Sequence, residues 1–104
     1  MDRSDVITLI KETVTADSSG VERTATTSRT VFAQVDSITR AEFFEAGRAG
    51  LNPQFKFIVF AGDYEGETIA EYNGKRYAIY RTYLARDDRL ELYAQREGGT
   101  NGQS

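Results

Sequence analysis

The patterns that could do chemistry in this chain are acidic, glycine-containing or basic–aromatic, and its 104 residues include no histidine and no cysteine. Cys/His zinc sites, Ser-His-Asp triads and Cys-His pairs are therefore excluded. Three acidic residues alternate at Asp63, Glu65 and Glu67. Alternating oxygens can bind calcium, but this segment lacks the further ligands and the late bidentate glutamate of an EF-hand loop. Nothing in the sequence builds a cleft around a glycosidase pair either. We expect a solvated acidic loop, no cofactor, no metal and no enzymatic activity.

A second pattern is the Gly-Arg-Ala-Gly stretch at residues 47–50. It matches the GxxG loop with which KH domains clamp an RNA backbone. A KH site needs a helix directly after that loop, whereas Pro53 and a strand-like run follow here. We interpret the stretch as a helix end with its glycine cap.

A third pattern interleaves basic and aromatic residues along residues 75–83. Small barrels that bind single-stranded nucleic acid stack bases on such aromatics, and tyrosine is equally suited to protein contacts. Strand parity splits the stretch, with Tyr77 and Ile79 on one face and Ala78, Tyr80 and Thr82 on the other. Both kinds of partner stay open for its candidate contact residues, which are Tyr80, Arg81 and Tyr83.

The elements that position these residues are mostly strands. Asn73-Gly74 between two β-rich runs is the type I′ hairpin signal. Short strands separated by turns favour a small barrel or sandwich. The sequence predicts a mainly β fold, a six-stranded β-barrel or sandwich, with strands at Val6–Val14, Thr24–Val35, Gln54–Ala61, Glu67–Tyr72, Lys75–Leu84 and Arg89–Gln95.

One short α-helix is predicted between the second and third strands, over Arg40–Ala49. Thr39 and Glu42 fit the capping box, in which the glutamate reaches back to the N-cap. Phe43 and Phe44 are adjacent and point roughly 100° apart on a helix. We therefore expect one of them to pack on the barrel and the other to face solvent or a partner.

Alternation in the last two strands predicts a core that includes Tyr77, Ile79, Leu90 and Leu92. We expect one domain over residues 1–97 and a flexible tail over residues 98–104. A formal charge of −3 argues against a surface that neutralises nucleic-acid phosphates. No apolar run approaches the about 18–20 residues of a membrane span, and no secretory signal is recognisable, so we expect synthesis in the cytosol and no membrane.

The order of these motifs resembles the phage head closure family, whose members are also called head–tail adaptor, joining or stopper proteins. The likeness runs from Val6 to Gln95. Its most specific part is Gly74-Lys75-Arg76-Tyr77-Ala78-Ile79, with Phe32-Ala33-Gln34-Val35 and the Thr39–Ala46 segment before it. Phe32 stands where many members carry tryptophan, which we expect to change the volume of the core.

The resemblance implies a structural virion protein that forms a ring, expected to be a dodecamer, in the neck of a tailed phage or prophage. The ring would contact the portal adaptor above and the tail terminator or tail tube protein below, and DNA would pass through it without specific binding. The segment from Ser37 to Asn52 would project into the channel, close it and contact neighbouring copies. Its candidate residues are Thr39, Arg40, Glu42, Phe43, Phe44, Glu45, Arg48 and Leu51.

Two other functions stay open on the sequence. One is a small barrel that binds single-stranded nucleic acid through residues 75–83. The other is a different neck or tail ring, such as a tail terminator.

Overall fold

The computed structural model describes residues 5–96. The predicted tail at residues 98–104 lies outside this part. The described chain contains strands β1 (Asp5–Ala16), β2 (Glu22–Ser37), β3 (Pro53–Phe60), β4 (Ile69–Tyr72), β5 (Lys75–Leu84) and β6 (Arg89–Arg96), with helix α1 (Arg40–Arg48) and a short 3₁₀ helix (Ala61–Asp63).

The six strands form one closed antiparallel barrel in the order β1-β2-β3-β6-β5-β4. The mainly β prediction, with one helix between the second and third strands, is confirmed, and the barrel is the form adopted. Asn73 and Gly74 both have positive φ, at 54° and 77°, as a type I′ hairpin requires. This turn brings β4 and β5 together and sets the register of the strands that carry the candidate contact residues.

The core fills the barrel with alternate residues of every strand. Phe57, Leu92, Ile7, Leu9 and Val59 are its largest fully buried side chains. An aromatic group that includes Phe55, Tyr72 and Tyr77 packs around Phe57 with mostly edge-to-face geometry.

Among the predicted core residues, Tyr77 and Leu92 are buried, whereas Ile79 and Leu90 are half-buried and pack against the core from its edge. Ile79 adjoins an irregularity in the β5–β6 pairing. Leu90 is the second residue of β6, opposite the exposed Leu84.

The expected effect of Phe32 on core volume is wrong. Its side chain is 65% exposed, because Val31 and Ala33 on either side of it take the inward positions of β2. Phe32 lies opposite Val6 on the outer wall of the barrel.

Strands β1 and β2 are longer than predicted and extend beyond the barrel as a two-stranded ribbon of residues 11–28. Every residue of this ribbon is exposed. The turn is correspondingly shorter than predicted, since Ala16 still pairs with Glu22. Asp17 organises the turn by accepting hydrogen bonds from the backbone N–H groups of Ser19 and Val21. The hydrogen bond from the Ser19 hydroxyl, together with these two, holds the Asp17 pKa below its usual range.

Within residues 5–96, no helix is long and apolar enough to cross a membrane.

Candidate functional site

Helix α1 begins and ends as the sequence predicts, apart from one residue. The Thr39 hydroxyl accepts a hydrogen bond from the Glu42 N–H at 3.2 Å, which is the expected N-cap. At the other end, Gly50 has a φ of 80°. The N–H groups of Gly50 and Leu51 bond to the carbonyl oxygens of Gly47 and Ala46, the pattern of a Schellman motif. The Gly-Arg-Ala-Gly stretch is therefore a helix end, as interpreted.

The side chain of Glu42 does not complete the capping box. Its Oε2 accepts a hydrogen bond from the Tyr80 hydroxyl at 2.8 Å, and its Oε1 accepts one from Nη2 of Arg81 at 2.7 Å. A carboxylate gains more from a hydroxyl and a guanidinium than from one backbone N–H, so the tertiary contact displaces the local one.

A β-bulge explains how two consecutive residues of β5 reach the same carboxylate. Neighbouring side chains of a regular strand point to opposite faces. Between Ile79 and Arg81 the register with β6 shifts, so that Ile79 pairs with Ala94 and Arg81 with Tyr93. The predicted parity fails at this point, since the extra residue turns Arg81 to the same outer side as Tyr80.

Tyr93 extends this polar group across β6. The Arg81 guanidinium lies 4.0 Å from the centre of the Tyr93 ring, within range of a cation–π contact. The Tyr93 hydroxyl donates to Glu91 at 2.7 Å. Together, Glu42, Tyr80, Arg81 and Tyr93 form what we call the Glu42 cluster.

The Glu42 cluster favours neutral tyrosines and a charged arginine. Burial and the bond to Glu42 raise the pKa of Tyr80. Burial and the bond to Glu91 raise that of Tyr93 to about 12. Burial acts against the charge of Arg81, but the bond and the charge of Glu42 outweigh it and raise the Arg81 pKa.

Phe43 and Phe44 both remain on the surface, so the expectation that one packs on the barrel is wrong. They are 47% and 58% exposed and contact each other edge-to-face, with 6.1 Å between ring centres. The helix turns a different stripe to the barrel, where Ala46 is the one buried residue of Arg40–Arg48.

The structure brings only some of the predicted contact residues together. Glu42, Tyr80 and Arg81 come together, and they line an open cleft of about 580 Å³ with Glu45, Ala46, Ala49 and Leu51. Glu45 and Arg48 pair with each other within the helix at 3.3 Å, both well exposed. Arg40 and Tyr83 are exposed and lie outside the cleft lining.

A second polar cluster was not expected from the sequence. Glu67, predicted to lie in a solvated loop, is 4% exposed. Its carboxylate accepts hydrogen bonds from Nε of Arg29 at 3.1 Å and from the backbone N–H of Glu65 at 2.7 Å. Arg29 also donates to the carbonyl oxygen of Asp63, and the Tyr64 hydroxyl donates to that of Glu67 at 2.7 Å. Only the register of β2 brings Arg29 here, so no local sequence signal marks the pair.

Burial of Glu67 acts to raise its pKa, but the backbone hydrogen bonds and the Arg29 guanidinium outweigh this effect and lower it. Asp63 and Glu65 do not join it as ligands. Among the residues that the structure describes, no three potential His, Cys, Asp or Glu ligands group as a metal site would require.

A scan of the sequence against protein-family models finds no match, and a search of curated proteins finds no significant match.

Proposed function

We propose that this chain is a non-enzymatic subunit of a head–tail connector ring, of the head closure type, in a tailed phage or prophage. The observation that carries the proposal is the position of α1. A closed six-stranded barrel presents, between β2 and β3, a short capped helix with two exposed phenylalanines. This is the arrangement that the resemblance in motif order implies.

The surface of the helix supports a role in assembly. Two adjacent aromatic side chains in contact with each other form an apolar feature that a soluble monomer gains nothing by exposing. Aromatic residues are enriched in the buried centres of protein interfaces. In a ring, each copy would present this helix to the channel or to a neighbouring copy.

The charge of the molecule suits a conduit for DNA. With a formal charge of −3, the subunit has no general attraction for phosphates, so DNA could slide past it without being held.

The same region weakens the case for a single-strand binding protein. Tyr80 and Arg81 would have to offer a stacking face and a cation to a nucleic acid. Both are bonded to Glu42, and the Arg81 guanidinium lies against Tyr93. A partner strand would have to displace an acidic side chain to reach them.

Deletion of the gene in a phage or prophage that encodes this chain tests the proposal. We expect filled heads that lose DNA and lack tails by electron microscopy, and restored particles when the wild-type gene is supplied. Phe44→Ala should fold normally and fail to restore tails, whereas Phe32→Ala, the same truncation on the barrel wall, should restore them. Tailed, DNA-retaining particles from the deletion strain would contradict the proposal. Heads from the deletion strain that retain their DNA but lack tails would instead indicate a ring of the tail, such as a tail terminator.

A further inference from the structure

Helix α1 is attached to the barrel chiefly by polar contacts. Ala46 is its one buried residue over Arg40–Arg48, and its side chain is a single methyl group, which contributes little apolar burial. The two phenylalanines are about half exposed, contact each other and do not pack against the core of the barrel. Beyond the helix end, the Asn52 N–H donates to the Gln95 side chain at 3.0 Å.

The strongest of these contacts is the one that Glu42 makes. The Glu42 side chain is 13% exposed, whereas that of its partner Arg81 is 44% exposed. Both carboxylate oxygens have a donor, and charge-assisted hydrogen bonds of this kind are about twice as strong as neutral ones.

The two residues that bond to Glu42 belong to the barrel and are held in place by it, independently of the helix. The β5 bulge directs Tyr80 and Arg81 outward, and the Tyr93 ring supports the Arg81 guanidinium from β6. Strands, unlike a nine-residue helix, keep such groups in position by barrel-wide pairing. Isolated helices of this length are marginal in water.

We propose that Glu42, Tyr80 and Arg81 form a latch that closes α1 onto the barrel, so that the helix opens as a separate unit when this contact is lost. Opening would free the helix and its phenylalanines while the barrel stays folded, as low-stability elements do in other proteins. The latch concerns the isolated chain and goes beyond the proposed connector role. Its use as the point where ring assembly acts on α1 rests on that role.

Hydrogen exchange of the full chain tests the latch through the amides of Phe43–Arg48. Glu42→Gln should speed their exchange about tenfold, because it removes the charge that strengthens both hydrogen bonds of the side chain, and strand amides should be unchanged. Glu45→Gln is the matched control, since it removes the same charge from the same helix but from an exposed pair with Arg48. It should leave exchange near the wild-type rate.

Tyr80→Phe separates the latch from any effect of charge at the helix N-terminus, since it removes one donor and leaves α1 unaltered. It should also speed exchange in Phe43–Arg48, whereas Tyr83→Phe, an exposed tyrosine of the same strand, should not. Equal acceleration by Glu42→Gln and Glu45→Gln, no effect of Tyr80→Phe, or matching acceleration in the strands would each overturn the proposal. None of these outcomes depends on whether the protein forms a ring.

Discussion

Glu67 and Arg29 join two parts of the chain that are 38 residues apart. The pair connects the base of the β1–β2 ribbon to the segment before β4, and the Arg29 contact with the Asp63 carbonyl adds a second point of attachment. The carboxylate is nearly inaccessible, whereas the Arg29 side chain is 36% exposed. Loss of the charge on Glu67 would therefore weaken the hydrogen bonds of a buried side chain, whereas the partly exposed Arg29 guanidinium would regain water.

Glu67→Gln should lower the free energy of unfolding by about 1–3 kcal/mol, the usual effect of an unsatisfied buried hydrogen-bonding group. The folded-state pKa of Glu67 is lowered, so its contribution is present above the unfolded pKa of about 4.3 and is lost as the pH falls through the folded value. In urea unfolding, the free energy of unfolding of the wild type should exceed that of Glu67→Gln by the full amount near neutral pH. The difference should become smaller as the pH falls. Glu65→Gln, an exposed neighbour, should show no such advantage, and a pH-independent difference would contradict the assignment.

The β1–β2 ribbon is the element whose stability is hardest to account for within one subunit. Two-stranded hairpins are marginal in water on their own, and residues 11–28 are exposed on both faces. Beyond Ile10 no β4 residue pairs with β1, and β3 pairs with β2 only from Gln34 onward. The ribbon is therefore held by its own ladder and by its base in the barrel.

Replacement of residues 12–26 by Asn-Gly should leave the barrel intact, with its free energy of unfolding changed by less than about 0.5 kcal/mol. The new turn would connect Lys11 to Thr27, which already face each other. A deeper cut that joins Ile7 to Val31 serves as the control, because it removes the buried Leu9 and Ile10 together with Arg29. It should abolish cooperative thermal unfolding, and an equal loss from the shorter cut would show that the ribbon supports the barrel.

Residues 5–96 expose several pairs of large apolar side chains, besides Val14, Val21 and Phe60. Phe43 and Phe44 lie on α1, Val6 and Phe32 on the wall at β1 and β2, and Tyr83 and Leu84 at the end of β5. Stable interfaces bury about 1,200–2,000 Å² in total, which such groups reach only when several contacts form together. Under the proposed function, ring assembly should therefore be cooperative and need a template.

The isolated chain should be folded, mainly β and monomeric at micromolar concentration, with a mass of 11.6 kDa. Light scattering coupled to size-exclusion chromatography measures this directly. Under the proposed function, a ring should appear only when an upstream neck component is added. A closed ring of the pure protein at micromolar concentration would contradict the need for a template.

Strands, turns and helix ends were predictable because their causes are local. Alternation placed Tyr77 and Leu92 inside, Asn73-Gly74 specified the hairpin, and Thr39 and Gly50 set the limits of α1. Each depends on residues within a few positions of one another, so the mainly β class followed from the chain alone, whereas the closed barrel, as opposed to a sandwich, was decided by the strand pairing.

The tertiary structure alone decided which polar groups meet. Glu42 does not cap the helix, because the β5 bulge, which arises from pairing with β6, places Tyr80 and Arg81 within hydrogen-bond distance of its carboxylate. Glu67 can be buried as a carboxylate because the register of β2 places the Arg29 guanidinium beside it. The outward direction of Phe43 and Phe44 likewise depends on which stripe of α1 lies on the barrel. These outcomes rest on contacts between distant segments, whose energies no local pattern encodes.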